Sequence, residues 1–285
     1  MKLKANWILN KDGSIYHLGL RKDQLASTII TVGDPGRVSP ISQHFDSIEL
    51  KNSRREFVCH TGYIGKKRIS VLSTGIGTDN IDIVINECDA LYNVDLNTGE
   101  KNKTQTQLDF IRIGTSGAIQ KDIPVDSFLI SEAAIGTDAL MNFYLHKHIE
   151  KSDQLLNQFH RSGIPLSSLY YSICNAELLN QYSDPSMQRG VTITAPGFYA
   201  PQGRTTRIPI AIENLLSKYS QIQLSNSGRI TNIEMETAGI YGLSEILKHR
   251  AISLNAILAN RITNEFSHDP EKTISTLIEK ILSKI

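Results

Sequence analysis

Short apolar runs rich in β-branched residues alternate with longer segments of helical periodicity along most of the chain. Runs of this kind, bounded by Gly or Pro, are typical of strands that are buried on both faces of a sheet. The predicted strands are Thr28–Val32, Ile69–Ser73, Phe110–Ile113, Ser127–Ser131, Val191–Thr194 and Ser253–Ala259. The predicted helices are Asn80–Tyr92, Pro209–Tyr219 and Glu236–Lys248. This alternation predicts an α/β fold in which helices flank a central, twisted sheet that is largely parallel or mixed.

The C-terminal pattern predicts one further helix, which begins after Asp269. The Asp269 side chain can cap the first turn, and Pro270 suits the first helical position because its missing N–H is not needed there. Lys280 and Lys284 lie near the other end, where the helix dipole favours positive charge. Apolar residues recur on one face of this helix: Ile274, Leu277, Ile278, Ile281, Leu282 and Ile285.

The 285 residues contain no Pro-, Ser- or Gly-rich linker and no internal repeat, so we predict a single domain over residues 1–285. One segment departs from the alternating pattern. Residues 93–107 are rich in Asn, Thr and Lys and have no periodic apolar face. They interrupt what should be a short connection between a helix and a strand. We therefore predict an exposed insertion at 93–107.

Composition and charge exclude several classes of protein. The formal net charge of +1 argues against a nucleic-acid partner, which would need a basic stripe. Met1–Asn10 contains no signal-peptide core, and no apolar window reaches the length of a membrane span, so no membrane partner is expected. Cys59, Cys88 and Cys174 are odd in number and far apart, which argues against structural disulfides and a zinc site. A reducing, cytoplasmic environment is the simplest expectation.

Glycine-containing turns follow several predicted strands, and two of these turns carry an arginine. Gly33 and Arg37 follow the first strand, and Arg112 lies at the end of the third, directly before Gly114 and Thr115. Ligands of α/β sheets collect at the carboxyl ends of the strands. Glycine lets backbone N–H groups approach an anion, and arginine offers a charged fork of donors. The pattern predicts an anion pocket, although a solvated loop charge explains Arg37 equally well when it is taken alone.

Two glutamates flank a methionine in the run Glu234-Met235-Glu236, which precedes the apolar segment Ala238–Leu247. Carboxylates can accept hydrogen bonds from sugar hydroxyls, and a thioether offers an apolar contact to a sugar ring. Acidic residues are also common at the start of a helix, because the dipole favours negative charge there. The run by itself therefore fits either a sugar site or an ordinary helix N-terminus.

The segment 198–204 supplies groups that complement a pyrimidine base. Phe198 can stack on a planar ring. Uracil presents one imide N–H between two carbonyl oxygens. Gln202 can accept from that N–H and donate to one carbonyl, while Arg204 can donate to the other. A Pro- and Gly-rich loop with incidental polar residues would give the same sequence pattern.

In this order and spacing, the motifs resemble the nucleoside phosphorylase family, and within it the uridine phosphorylases, over nearly the whole chain from Tyr16 onward. The resemblance implies phosphate binding by Gly33, Arg37, Arg112, Thr115 and, across a subunit boundary, Arg55. It implies ribose binding by Glu234, Met235, Glu236 and, from the neighbouring subunit, His17. It implies base binding by Phe198, Gln202, Arg204, Asn260 and Arg261, with Arg112, Glu236 and Arg204 as the catalytic residues.

The resemblance also implies which cofactors and partners to expect. No organic cofactor or catalytic metal is expected, and inorganic phosphate is the co-substrate. A monovalent cation is left open, because Glu56 is retained whereas Thr78-Asp79-Asn80 stands where the family commonly has a serine ligand. The implied assembly is a homo-oligomer, at least a dimer and commonly a hexamer of three dimers.

The implied reaction converts uridine and phosphate to uracil and ribose 1-phosphate, a pentosyl transfer in pyrimidine salvage. Its oxocarbenium-like state is stabilised by phosphate and carboxylates, and Arg204 with Gln202 stabilises the departing base.

A purine nucleoside phosphorylase is an alternative, since Ala238–Gly242 resembles those enzymes, but Asn260 cannot serve as the acid that their aspartate provides. A nucleosidase is a further alternative, which Arg37 and Arg112 argue against. A non-catalytic nucleoside-binding protein would retain fewer of the catalytic positions.

Overall fold

Strands form the centre of the molecule. The computed structural model describes residues 9–145, 149–224 and 228–285, without the side chains of 149–151. The strands are β1 (Thr28–Val32), β2 (Ser47–Arg54), β3 (Phe57–Ile64), β4 (Lys67–Ser73), β5 (Val94–Asp95), β6 (Glu100–Lys101), β7 (Asp109–Ala118), β8 (Phe128–Gly136), β9 (Tyr170–Ile173), β10 (Met187–Thr194), β11 (Ile230–Glu234), β12 (Arg250–Asn260) and β13 (Glu265–Phe266).

Helices cover the sheet and connect its strands. They are α1 (Val38–Ser42), α2 (Thr78–Asn93), α3 (Ile149–Arg161), α4 (Ala176–Tyr182), α5 (Leu215–Gln221), α6 (Thr237–Ile246) and α7 (Pro270–Leu282). Short 3-10 turns at Pro35–Arg37 and Ala200–Gln202 follow β1 and β10. Among the helices within the described ranges, none is long and apolar enough to cross a membrane.

Five central strands close on themselves. β7 pairs with β12, β12 with β8, β8 with β10 and β10 with β11, and β11 returns to β7. β1, β4, β3 and β2 extend the sheet outward from β7. The pairs β1–β4, β1–β7, β7–β12, β8–β10 and β10–β11 are parallel, whereas β7–β11, β8–β12 and the β2–β3–β4 meander are antiparallel. The predicted α/β fold is confirmed, and its sheet is mixed.

The core lies on both faces of this sheet. α2 and α6 contribute to one buried apolar cluster, and α1 and α7 to another. α7 begins as predicted, because Asp269 accepts a hydrogen bond from the Lys272 N–H at 3.0 Å and Pro270 occupies the first turn. Its residues Leu277, Ile278, Ile281 and Leu282 are buried.

Some predicted boundaries were wrong. The helix predicted at Pro209–Tyr219 begins only at Leu215, because Asn214 adopts a left-handed conformation with φ of 53°. β11 was not predicted, since Thr231 and Asn232 made the segment look polar. The side chains of Thr231 and Asn232 are both fully buried. Inside the ring of strands, Asn232 Oδ1 accepts a hydrogen bond from Thr192 Oγ1 at 2.8 Å.

The segment predicted as an exposed insertion forms a small hairpin, β5–β6, with Gly99 in its turn at φ of 76°. The Asn93 side chain closes its base, accepting from the Thr106 N–H at 2.6 Å and donating to the Thr106 carbonyl at 3.0 Å. Asn102 donates to the Tyr92 carbonyl at 2.9 Å. The asparagines that made this segment look like a loop therefore hold its shape.

Candidate active site

A cavity of about 290 Å³ opens at the carboxyl ends of β1, β7, β11 and β12. Its wall contains most of the residues predicted for phosphate, ribose and base: Gly33, Arg37, Arg112, Thr115, Phe198, Gln202, Arg204, Glu234, Met235 and Glu236. The fold therefore gathers in one place residues that are far apart in sequence. Further lining residues were not predicted: Asp34, Ile76, Ser116, Gly117, Ile233, Leu258, Ala259 and Phe266.

Arg112 is the buried charge at the centre of the cavity wall. One guanidinium nitrogen, Nη2, lies 2.6 Å from a Glu236 carboxylate oxygen and 3.0 Å from a Glu234 oxygen. The other, Nη1, donates to Asn255 Oδ1 at 2.8 Å. Burial lowers the pKa of Arg112, but the two carboxylates raise it more, so the guanidinium stays charged. Asn255 was missed by sequence reasoning, because a single amide inside an apolar strand gives no pattern.

Gly114 gives the Arg112 side chain its space. A Cβ at this position would lie 1.7 Å from Arg112 Nη1 and 2.4 Å from its Cζ. The guanidinium would have to move to relieve that overlap, which would disturb its contacts with Glu236 and Asn255. The turn predicted at Gly114 and Thr115 was wrong, because both residues lie inside β7. The Arg112 guanidinium fills the space that a side chain at position 114 would occupy.

The two glutamates have different environments. Glu234 ends β11 and caps α6: its carboxylate accepts the Glu236 N–H at 2.9 Å and the Thr237 N–H at 3.0 Å. It also accepts from Thr194 Oγ1 at 2.6 Å. The helix-capping interpretation of the acidic run is thus correct for Glu234, in addition to its place on the cavity wall. These bonds commit most of its acceptor capacity within the protein.

Glu236 accepts fewer hydrogen bonds from the protein than Glu234 does. Its Oε1 accepts the Gly77 N–H at 2.8 Å, and its Oε2 contacts Arg112. It is only 5% exposed. Burial raises the pKa of Glu236, and the opposing effect of Arg112 does not cancel that rise. Glu236 therefore joins the β11–α6 junction to the start of α2, across 159 residues of sequence.

Arg37 is the second cation of the cavity. It ends the 3-10 turn that Asp34 caps by accepting the Gly36 N–H at 2.8 Å. Burial and the nearby Arg112 lower the pKa of Arg37. Within the described ranges its guanidinium makes no hydrogen bond to a side chain. A partly buried, unpaired arginine beside a second arginine is suited to an anion.

Residues 198–204, predicted to contact the base, contribute Phe198, Gln202 and Arg204 to the cavity wall. Arg204 lies over the Phe198 ring, with Cζ 3.6 Å from the ring centroid. Arg204 Nη1 donates to the Phe198 carbonyl at 2.6 Å and to Gln202 Oε1 at 2.7 Å. Gln202 is buried and Phe198 is half exposed. Burial and the neighbouring Arg261 lower the pKa of Arg204 to about 10.

Asn260 and Arg261 do not line the cavity. Asn260 donates to the Gln120 and Ile123 carbonyls at 2.9 and 2.8 Å, and its oxygen accepts the Ile262 N–H at 2.9 Å. This buried amide shapes the loop after β12, and its placement does not support the predicted contact with the base. Arg261 lies near Arg204, and burial lowers its pKa.

His17 and Arg55 also do not line the cavity. Tyr16 connects them: its ring meets the His17 imidazole edge-on at 4.8 Å, and the Arg55 guanidinium lies 5.2 Å from its ring centroid. His17 Nδ1 is 2.6 Å from Glu87 Oε1. The two residues predicted to act across a subunit boundary therefore share one surface cluster.

The positions left open for a cation, Glu56 and Asn80, both lie beside Gly75. A Cβ on Gly75 would be 2.2 Å from Asn80 Nδ2 and 3.3 Å from Glu56 Cγ. No cluster of three or more His, Cys, Asp or Glu suited to a metal occurs among the residues described.

The chain belongs to the phosphorylase superfamily, whose family model matches residues 27–285. The expected membership of the nucleoside phosphorylases, enzymes of the pentosyltransferase type, is thereby confirmed. A uridine phosphorylase of Thermococcus kodakarensis is 30% identical over 271 residues, covering 92% of this chain and 83% of the relative.

Two further relatives bear on the substrate. A crystal structure of a Trypanosoma brucei nucleoside phosphorylase, described as showing uridine phosphorylase activity, superposes with a TM-score of 0.88 at 28% identity, covering 98% of this chain and 99% of that one. A purine nucleoside phosphorylase of the DeoD type from Bacillus subtilis is 25% identical, covering 94% of this chain and 98% of the relative. Enzymes for pyrimidine and for purine nucleosides thus both occur among the relatives.

Proposed function

We propose that this protein is a uridine phosphorylase, which cleaves uridine with phosphate to give uracil and ribose 1-phosphate. The observation that carries the proposal is the cavity wall on which Arg37 and Arg112, Glu236, and the Gln202–Arg204 pair meet. Arg37 and Arg112 supply an anion site, and Glu236 supplies an acceptor for sugar hydroxyls. Gln202 and Arg204 supply hydrogen-bonding groups that complement the edge of a pyrimidine. The relatives from Thermococcus kodakarensis and Trypanosoma brucei support the choice of uridine.

The proposed mechanism begins with phosphate held by Arg37, Arg112 and Thr115 below the anomeric carbon. The C1′–N1 bond breaks as a phosphate oxygen approaches C1′, and positive charge develops on the ribose. Phosphate and Glu236 stabilise that charge, and both Glu236 and Arg112 are buried in the cavity wall. The bonding electrons leave with uracil, whose growing negative charge is stabilised by donors from Gln202 and Arg204. Phosphate ends on C1′, so no water or redox partner is consumed.

We further propose that each site is completed by the partner subunit, which supplies His17 to the ribose 5′-hydroxyl and Arg55 to phosphate. The support is their shared cluster on the surface, outside the cavity of their own subunit. A dimer, and a hexamer of three dimers, is the assembly we propose. The proposed setting is pyrimidine salvage in the cytoplasm. Three free, buried cysteines support the choice of a reducing compartment.

One assay tests the reaction and the base together. Base release is measured from uridine, thymidine and inosine, each with and without inorganic phosphate. We expect uridine to be cleaved only when phosphate is present, and faster than inosine. Cleavage without phosphate would make the protein a nucleosidase. Preferential cleavage of inosine would make it a purine enzyme, like the Bacillus subtilis relative.

A further inference from the structure

A buried carboxylate outside the cavity lies under His17. Glu87 belongs to α2 and is 8% exposed, although its helix neighbours Val84, Ile85 and Cys88 are fully buried apolar residues. A carboxylate in such surroundings is costly unless it is fully hydrogen-bonded. Glu87 directs its acceptors to one short loop, the segment that carries His17.

Three donors of that loop converge on Glu87. The Leu18 N–H donates to Oε2 at 2.9 Å, and the His17 N–H lies 3.1 Å from both carboxylate oxygens. The His17 Nδ1 atom is 2.6 Å from Oε1. Because a carboxylate only accepts, Nδ1 must carry the hydrogen of this bond. This bond selects the tautomer in which a neutral ring has Nε2 as its acceptor, and Nε2 makes no hydrogen bond within the described part of the chain.

We propose that Glu87 is a positioning residue for the proposed reaction, which selects the His17 tautomer and orients Nε2 to accept from the ribose 5′-hydroxyl of a substrate in the partner's site. This inference rests on the proposed function. A carboxylate that holds one ring nitrogen is a common way to fix the tautomer and direction of the other. The His17 side chain is 29% exposed, so its ring can reach a neighbouring subunit while its inner edge is anchored.

The test compares uridine with 5′-deoxyuridine, which lacks only the hydroxyl that His17 would contact. Values of kcat/KM are measured for both substrates, and their ratio reports the use of that hydroxyl. Glu87→Gln keeps the shape of the side chain but replaces the carboxylate with a neutral amide, which has one acceptor oxygen and one donor nitrogen. We expect the uridine value to fall about five- to tenfold, the effect of losing one hydrogen bond, and the 5′-deoxyuridine value to change less than about twofold.

A matched control lies on the same helix. Asp89 contacts the imidazole of His249, with Oδ1 3.1 Å from Nε2, at a place far from the His17 loop in sequence. Asp89→Asn makes the same chemical change to a carboxylate–histidine pair and should leave the substrate ratio unaltered. Equal losses on both substrates in Glu87→Gln would show a structural role only and overturn the proposal.

A double-variant cycle separates this proposal from the one it rests on. His17→Ala should abolish the preference for the 5′-hydroxyl, and Glu87→Gln should have no further effect in that background. If His17→Ala leaves the preference intact, the proposed shared site fails and Glu87 loses its role with it. If His17→Ala removes the preference but Glu87→Gln does not reduce it, only the positioning proposal fails.

A second variant keeps the test decisive if Glu87→Gln does not fold. His17→Gln places an amide near the position of Nε2 but cannot keep the Nδ1 bond to Glu87. Because the introduced amide would be unanchored, we expect loss of the 5′-hydroxyl preference, as in His17→Ala. A retained preference in His17→Gln would show that anchoring by Glu87 is unnecessary.

Discussion

The conformation of Arg112 depends on the residue two positions further along the chain. We expect Gly114→Ala to displace the guanidinium from Glu236 and Asn255, because the added Cβ would lie 1.7 Å from Nη1. Turnover of uridine should fall by about 100-fold, and the KM for phosphate should rise, since a charge-assisted contact in the site is worth roughly 2–3 kcal/mol. Steady-state kinetics with varied phosphate measure both quantities.

The control for this prediction is the double variant Gly114→Ala, Arg112→Ala. If the glycine acts only through the arginine, the double variant should be no slower than Arg112→Ala alone. An additional loss in the double variant would point to a separate effect of Gly114 on β7.

Glu236 should set the acid limit of activity. The ionised carboxylate pairs with Arg112, and in the proposed mechanism it is the form that accepts from ribose hydroxyls. Burial raises its pKa, so activity should be lost as pH falls through a value above the ordinary glutamate pKa of about 4.3. The kcat/KM of uridine, measured against pH, should show this limb. In Glu236→Gln the limb should disappear from the residual activity, and its persistence there would assign the titration to another group.

Helix α7 depends on its first turn. Asp269→Ala removes the side-chain bond to the Lys272 N–H, and we expect the free energy of unfolding to fall by about 1 kcal/mol. Urea denaturation at fixed protein concentration measures this loss, since the proposed assembly would make stability concentration-dependent. Ser275→Ala, an exposed change in the middle of the same helix, should be neutral or slightly stabilising. Equal effects of the two substitutions would contradict the capping role.

Elements whose polarity agreed with their burial could be predicted from the sequence, and the others could not. β1 and α7 have apolar faces that match their surroundings, so their patterns were sufficient. β11 is fully buried yet carries Thr231 and Asn232, whose bonding partners lie on β10 and β7 and are invisible in a local window. Helix α5 began late because a left-handed Asn214 precedes it, which periodicity does not reveal.

The same limit applies to the site. The motifs after β1 and at the end of β11 were found, because the fold brings strand ends together. The residues that orient them were missed: Asn255 and Gly77 reach Arg112 and Glu236 from 143 and 159 residues away. Contacts of that separation follow from strand register for Asn255 and from the packing of α2 beside the β11–α6 junction for Gly77. Nothing near these residues in sequence indicates them.

At the scale of the whole molecule, the proposed shared site predicts complementation. Arg55→Ala and Glu236→Ala should each be nearly inactive as pure proteins. Dissociated, mixed and reassociated, they should regain part of the activity, because a hybrid dimer has one cavity with intact Glu236 facing an intact Arg55. Uridine phosphorolysis by the reassociated mixture, with hybrids verified by mass spectrometry, measures the recovery.

A matched mixture provides the control. Arg55→Ala combined with His17→Ala leaves every hybrid cavity facing one defective donor, so activity should not rise above that of the two variants before mixing. Recovery in this second mixture, or none in the first, would rule out the exchange of His17 and Arg55 between subunits.

The β5–β6 hairpin has a practical use because its base is closed. Asn93 and Asn102 fasten both ends by side-chain bonds to the backbone, while Asn97 and Thr98 at its tip are exposed. Extra residues at the tip add only to the closure entropy of a loop whose ends are already held, about 0.6 kcal/mol for each doubling of its length. A peptide tag or a fluorophore attachment site placed between Asn97 and Thr98 would therefore label the enzyme without altering its catalytic residues or either chain terminus.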